Sequence, residues 1–225
     1  MHIVRIIAAL FAALLIAAPA SADITARYTQ WNGDPPMVVQ VSDSGESRIA
    51  VTEAVYVTTG GVDYMILDDA EGQFVVRQQD FVDMMAELLR ATSAAAPPSA
   101  PPPSIAENGS ETLAGRAGTV FRLSDPRQPS DAFDLVISTD PELAPLGRAL
   151  GSLVAVFGIT MSRTSPALAE ALAELVGRGA LLRFGPLWRL ESVEVAPVPQ
   201  SVFALPSAPL APTALRARFH VDAPR

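Results

Sequence analysis

The chain has 225 residues, with 24 acidic against 16 basic side chains, a formal charge of −8, two histidines and no cysteine. The acidic balance repels phosphate backbones and anionic membrane surfaces, so nucleic acid is not an expected partner. Lack of cysteine removes disulfide frameworks, thiolate metal ligands and thiol nucleophiles.

Arg5 is the only charged side chain before an uncharged run from Ile6 to Ala18, which Pro19 and the triplet Ala20-Ser21-Ala22 follow. A short n-region, an apolar h-region and an A-x-A site predict a Sec-type signal peptide over residues 1–22, cleaved between Ala22 and Asp23. The run is shorter than the roughly 18 apolar residues a membrane span needs, so no transmembrane anchor is expected after cleavage. The expected location is the periplasm or the exterior. The remaining 203 residues (225 less 22) carry a charge of −9 once Arg5 is removed, and they suit a single domain over 23–225.

From Ile24 to Gln78, short alternating runs are separated by Gly, Asn and Asp turns: ITARYTQW, MVVQVS, SRIAV, AVYVTT, DYMIL and QFVVRQ. This spacing predicts an antiparallel meander with one apolar face. The period then changes. Phe81, Met84, Met85, Leu88 and Leu89 form one helical stripe, with Asp80 placed to cap its start. Burying five such side chains contributes on the order of 7–15 kcal/mol before entropy, enough to hold this helix on the sheet.

The Pro/Ala-rich stretch over 93–104 predicts an extended, disordered insertion inside the domain. Beyond it, Asn108-Gly109-Ser110 reads as a loop. TLAGRAGTVFRL and AFDLVIS read as strands, and Gly115 and Gly118 suggest a bulge or a close backbone approach. Thr139-Asp140-Pro141-Glu142 starts a second helix with Leu143, Leu146, Leu150, Val154 and Phe157 on one face. Ser165-Pro166 starts a third, with Leu168, Leu172, Leu175 and Val176 on one face and Gly177 and Gly179 closing it. ALLRFGPLWRLESVEV returns to alternation, a Pro-rich C-terminal tail begins at about 206, and LRARFHV reads as a last edge strand.

Chemistry-bearing constellations are sparse. The segment after the leader holds one histidine, His220, which poorly supports a Ser-His-Asp triad or a histidine metal site. Asp68, Asp69 and Glu71, with Asp63, Asp80 and Asp83 nearby, are the acidic candidates. They lack calcium-loop spacing, and a turn holding three carboxylates supplies too few of the six to eight oxygens that calcium takes, so they read as a hairpin turn closed by Gly72. No catalytic residue, metal ligand or cofactor is expected. Met84 and Met85 read as core, with contact to a ligand as the second reading.

The order of elements, together with ETLAGRAGTVFRL and SVFALP, resembles the secreted domain-of-unknown-function family 4412, related in architecture to the LolA/LppX lipoprotein carriers. The likeness covers most of 28–206. It implies an α+β fold: a curved antiparallel half-barrel, LolA-like, with helices packed on the concave face. It carries over no catalytic residue. The expected role is a non-enzymatic module binding a lipid or other apolar small molecule, its cavity walled by Met84, Met85, Leu88, Leu150, Val154 and Phe157. The alternative is a structural or interaction protein whose partner is another envelope protein and whose core is filled.

Overall fold

A computed structural model of the chain describes residues 23–52, 54–92, 103–126, 128–164 and 166–220. Residues 1–22, where a signal peptide is expected, and residues 93–102, most of the expected insertion, lie outside these. Six strands come first: β1 (Ile24–Gln30), β2 (Met37–Val41), β3 (Ser47–Ala50), β4 (Ala54–Thr59), β5 (Val62–Leu67) and β6 (Phe74–Arg77). Helix α1 (Gln78–Thr92) leads to β7 (Ser104–Leu113), β8 (Arg116–Asp125) and β9 (Gln128–Ser138). Helices α2 (Ala144–Thr164) and α3 (Pro166–Val176) precede β10 (Ala180–Phe184), β11 (Trp188–Val195) and a last helix, α4 (Pro212–Arg218).

All eleven strands join one open antiparallel sheet, in the order β6-β5-β4-β3-β2-β1-β11-β10-β9-β8-β7. The expected α+β class and meander hold. Its turns follow from local chemistry. Gly60-Gly61 and Ala114-Gly115 have positive φ at both residues, as two-residue type I′ hairpin loops require. TLAGRAGTVFRL is therefore a hairpin, and β7 extends back through the Asn108 loop, which becomes a bulge in an edge strand.

Alternation sets the faces. Ile24, Ala26 and Tyr28 of β1 are buried beside Val41, Val39 and Met37 of β2. Helix α2 lies on this face, touching β1, β2, β3 and β10, and it packs along α3. The resulting core joins Leu146, Leu150 and Leu153 of α2, Leu172 and Leu175 of α3, and buried side chains from eight of the strands. A second cluster, with Met65, Phe74 and Val76, packs against α1. The Tyr28 hydroxyl donates to the Leu181 carbonyl at 2.8 Å, satisfying a buried group whose ionisation burial makes very unfavourable.

The sheet curls sharply at its β7 end. β7 and β11 are four positions apart in the strand order, about 19 Å in a flat sheet at roughly 4.8 Å per strand. They nevertheless touch. Glu111 of β7 reaches Arg183 of β10 at 2.9 Å and Arg189 of β11 at 3.2 Å. Gly118 sits in this bend, where a Cβ would meet the Val136 side chain and the Ile137 carbonyl. The expected close approach is thus present there, while Gly115 serves the turn.

Three expectations are corrected. Asp80 does not cap α1, because β6 runs directly into a helix beginning at Gln78. Asp80 lies in the first turn, where a carboxylate still favours the positive end of the helix dipole. The insertion ends earlier than 104, because Ser104 already pairs with Ser124 across β7 and β8. The third concerns the C-terminus. Leu215 to Phe219 is not an edge strand, and the segment from 206 is no free tail. Pro212 fixes the first turn of α4, and Leu215 is buried against α1, β5 and β6. The chain before it forms a strap. Residues Gln200–Phe203 lie against β3 and β4, and Leu205 joins Val57, Ile66 and Val75 on the face away from the helices. The Leu210 amide then donates to the Val75 carbonyl on the free edge of β6 at 2.8 Å, so the strap passes around that edge to reach α1.

Candidate functional site

The acidic turn between β5 and β6 holds the end of the strap. Arg218 of α4 donates through Nε and Nη2 to the two carboxylate oxygens of Asp69, at 2.7 and 2.5 Å, and through Nη2 to the Gly72 carbonyl at 2.8 Å. Its guanidinium also lies 3.9 Å from the Phe74 ring centre, and Phe219 packs edge-on to Phe74 and Phe81. A second fork joins Arg216 to both oxygens of Glu87 on α1, at 2.8 and 2.7 Å. Bidentate guanidinium–carboxylate geometry makes these directional clasps. At the other end of the strap the Asp23 carboxylate accepts from the Val198 amide at 2.6 Å and from the Asp43 amide at 2.9 Å.

Asp69 therefore serves structure. Hydrogen bonds from Arg218 hold its carboxyl down at about 2, against 3.8 ordinarily. With the folded value depressed, the clasp's contribution is complete above about 3.8 and is lost as pH falls through 2. Acid titration of full-length protein at low salt should show the Arg218 Nε–H resonance moving with a midpoint near pH 2, not near 4. A midpoint near the ordinary carboxylate value would mean that the clasp does not form. Among the described residues no group of three His, Asp or Glu side chains is placed to hold a metal ion. His220 is exposed, at a positive φ after α4.

Of the six proposed wall residues, the five with described side chains are not gathered in one cluster. Leu150 and Val154 lie in the large core, and Leu150 is wholly buried. Met84 and Met85 belong to the α1 cluster that Leu215 completes. Leu88 is half-buried on α1. Phe157 is on α2, but its side chain lies outside the described set.

Helix α2 divides its surface into three stripes. Leu146, Leu150 and Leu153 enter the core. Ala144, Gly147, Gly151 and Val154 floor a groove of about 440 Å³ shared with Ala173, Val176 and the turn Gly177-Arg178-Gly179. Gly147 allows this approach, because a Cβ there would press on the Gly179 backbone. Pro145, Arg148, Ala149 and Ser152 face a second cleft of about 240 Å³, whose opposite wall is Val41, Gly45, Ser47, Thr58 and Asp63. Arg148 borders both spaces. Gln78, at the start of α1, donates through Nε2 to the Ser152 carbonyl at 3.2 Å, tying the two helices together.

Of the proposed wall residues whose side chains are described, only Val154 borders either space. Sequence periodicity marked the leucine stripe of α2 and passed over the glycine stripe. Gly147 and Gly151, four apart in a helix that glycine weakens, were the available signal. Arg148, a lone charge between them, was the other.

Comparison with family models, with curated proteins and with solved structures finds no match to this chain.

Proposed function

We propose that the protein is a non-enzymatic periplasmic module of LolA-like architecture that binds an apolar ligand, with α2 and α3 as its adjustable wall. The observation that carries this reading is the groove of about 440 Å³ between those helices, floored by Gly147, Gly151, Val154 and Val176. Its size falls within the range of small-molecule sites, and its floor is mostly apolar. An acyl chain needs few polar partners. At about 0.8 kcal/mol per buried CH₂, eight methylenes would contribute about 6 kcal/mol.

Gly151 provides a clean test, because a Cβ there meets nothing within 4 Å. Gly151→Leu should fill the groove while leaving the fold intact or slightly more stable, since leucine is favoured over glycine in a helix by roughly 0.8–1 kcal/mol. Binding of a fluorescent fatty-acid probe to wild type, weakened at least tenfold in Gly151→Leu, supports the reading. Absence of probe binding to wild type, together with no lipid detected by native mass spectrometry of periplasmically purified protein, overturns it. The second reading is a structural or interaction protein of the envelope. It is favoured by the filling of the sheet's helix-covered face, where Leu143, Leu146, Leu150, Leu153, Leu172 and Leu175 are all at most 1% exposed.

A further inference from the structure

The smaller cleft beside α2 differs in kind from the apolar groove. Its sheet wall carries a hydrogen-bonded chain of oxygens. Ser47 Oγ donates to Thr58 Oγ1 at 3.1 Å, and Thr58 Oγ1 donates to Asp63 Oδ1 at 2.7 Å. These side chains stand on neighbouring strands, in register: Ser47 faces Thr58 across β3 and β4, and Thr58 faces Asp63 across β4 and β5. Ser47 is buried at 4% exposure, yet it is polar and sits on the face that α2 covers. The helix wall contributes Ser152 and Arg148.

An acidic and a basic residue, Asp63 and Arg148, thus line one space. Among the described residues neither forms an ion pair with the other, and Arg148 forms none at all. Two opposite charges held apart across a cleft are complementary to a molecule carrying both signs. We propose that this cleft binds a small zwitterion, its ammonium on Asp63 and the neighbouring hydroxyl oxygens, its phosphate or carboxylate on Arg148.

Size and lining narrow the class. About 240 Å³ is room for roughly eight water-sized atoms at about 30 Å³ each, so the occupant has about eight heavy atoms. No aromatic ring is among the described residues lining it. A quaternary ammonium would find no cation–π cage there, whereas a primary ammonium can donate to the Asp63 carboxylate. The planar guanidinium suits a two-point contact with phosphate or carboxylate. Such a head could arrive as a free metabolite or as a lipid headgroup. Arg148 is exposed at the rim, which gives either one access. This site goes beyond the acyl-binding reading and does not depend on it.

The test uses O-phosphoethanolamine as the soluble probe, phosphocholine as its quaternary counterpart, and phosphatidylethanolamine vesicles as the lipid form. Calorimetry on the full-length protein should show saturable binding of O-phosphoethanolamine, at least tenfold weaker in Asp63→Asn and in Arg148→Gln, and weaker for phosphocholine. The side-chain amide oxygen in Asp63→Asn can still accept from Thr58, and Arg148 is an exposed helix residue, so both variants should match wild type in thermal midpoint. Binding of the soluble probe alone assigns a free zwitterion. Asp63- and Arg148-dependent flotation with vesicles alone assigns a headgroup. The proposal is overturned if wild type binds neither form, if either variant binds like wild type, or if phosphocholine binds equally well. The fatty-acid probe measured on Asp63→Asn keeps the two sites separate, because Asp63 borders only the smaller cleft whereas Arg148 borders both, and loss of the apolar reading leaves these outcomes unchanged.

Discussion

Leu150→Ala is expected to lower the stability of the protein by about 2–5 kcal/mol, read as a shift in the urea midpoint at unchanged slope. Leu150 is wholly buried in the cluster that ties α2 and α3 to the sheet. Truncation removes methyl groups from a packed layer and leaves a cavity that rigid neighbours close only in part. A domain of this kind has about 5–15 kcal/mol in all, so the loss is a large share. The outcome also separates two pictures of α2. If Leu150 faced an open ligand space, as the sequence suggested, the substitution would cost well under about 1 kcal/mol and would chiefly alter binding. A small cost with altered binding would therefore place the ligand between the leucine stripe and the sheet.

Phe203→Ala is expected to cost about 3–5 kcal/mol. Phe203 is 1% exposed in a 3-10 turn lying on β3 and β4, well past the last strand. In a solvated tail the same substitution would stay within about 0.5 kcal/mol. Once Phe203 is lost, the strap should also open early to proteases, from the turn through Leu210. Limited proteolysis beside urea denaturation reads both effects. Unchanged stability and an unchanged cleavage pattern would show that the strap is not part of the folded unit. The clasps at Asp69 and Glu87 are not expected to substitute for Phe203. They are surface ion pairs, which contribute little without the apolar anchors that bring α4 to α1.

Much of the architecture was legible in the chain. Period-two runs marked strands from β1 to β6, because a sheet with one covered face needs apolar side chains at alternate positions. The change to a 3.6-residue period marked α1, α2 and α3. Asp140-Pro141-Glu142 marked the start of α2, and the Asp140 carboxylate indeed accepts from the Glu142 amide at 3.0 Å. The acidic run at Asp68-Asp69-Glu71 was correctly read as a turn.

The misreadings share a cause. LRARFHV alternates over seven residues, yet Leu215 and Phe219 are also four apart, so the same letters fit one short strand or two turns of helix. Local propensity does not choose between them. The choice is made by what lies nearby: a socket of Met65, Phe74, Val76 and Met84, with Asp69 and Glu87 placed for two guanidinium groups. The wall residues were grouped because they share helical stripes, but a stripe says only that a face is covered. Whether another side chain or an empty space covers it depends on segments far away in sequence. Periodicity and turn chemistry act between near neighbours, so the sequence alone determined the strand meander, the first three helices and the acidic hairpin. The curl that brings Glu111 to Arg189, the strap around β6, and the split of α2 into a core stripe and two clefts come from long-range packing. Only the tertiary structure decided those, because the energy that selects them comes from burying surfaces that no local segment contains.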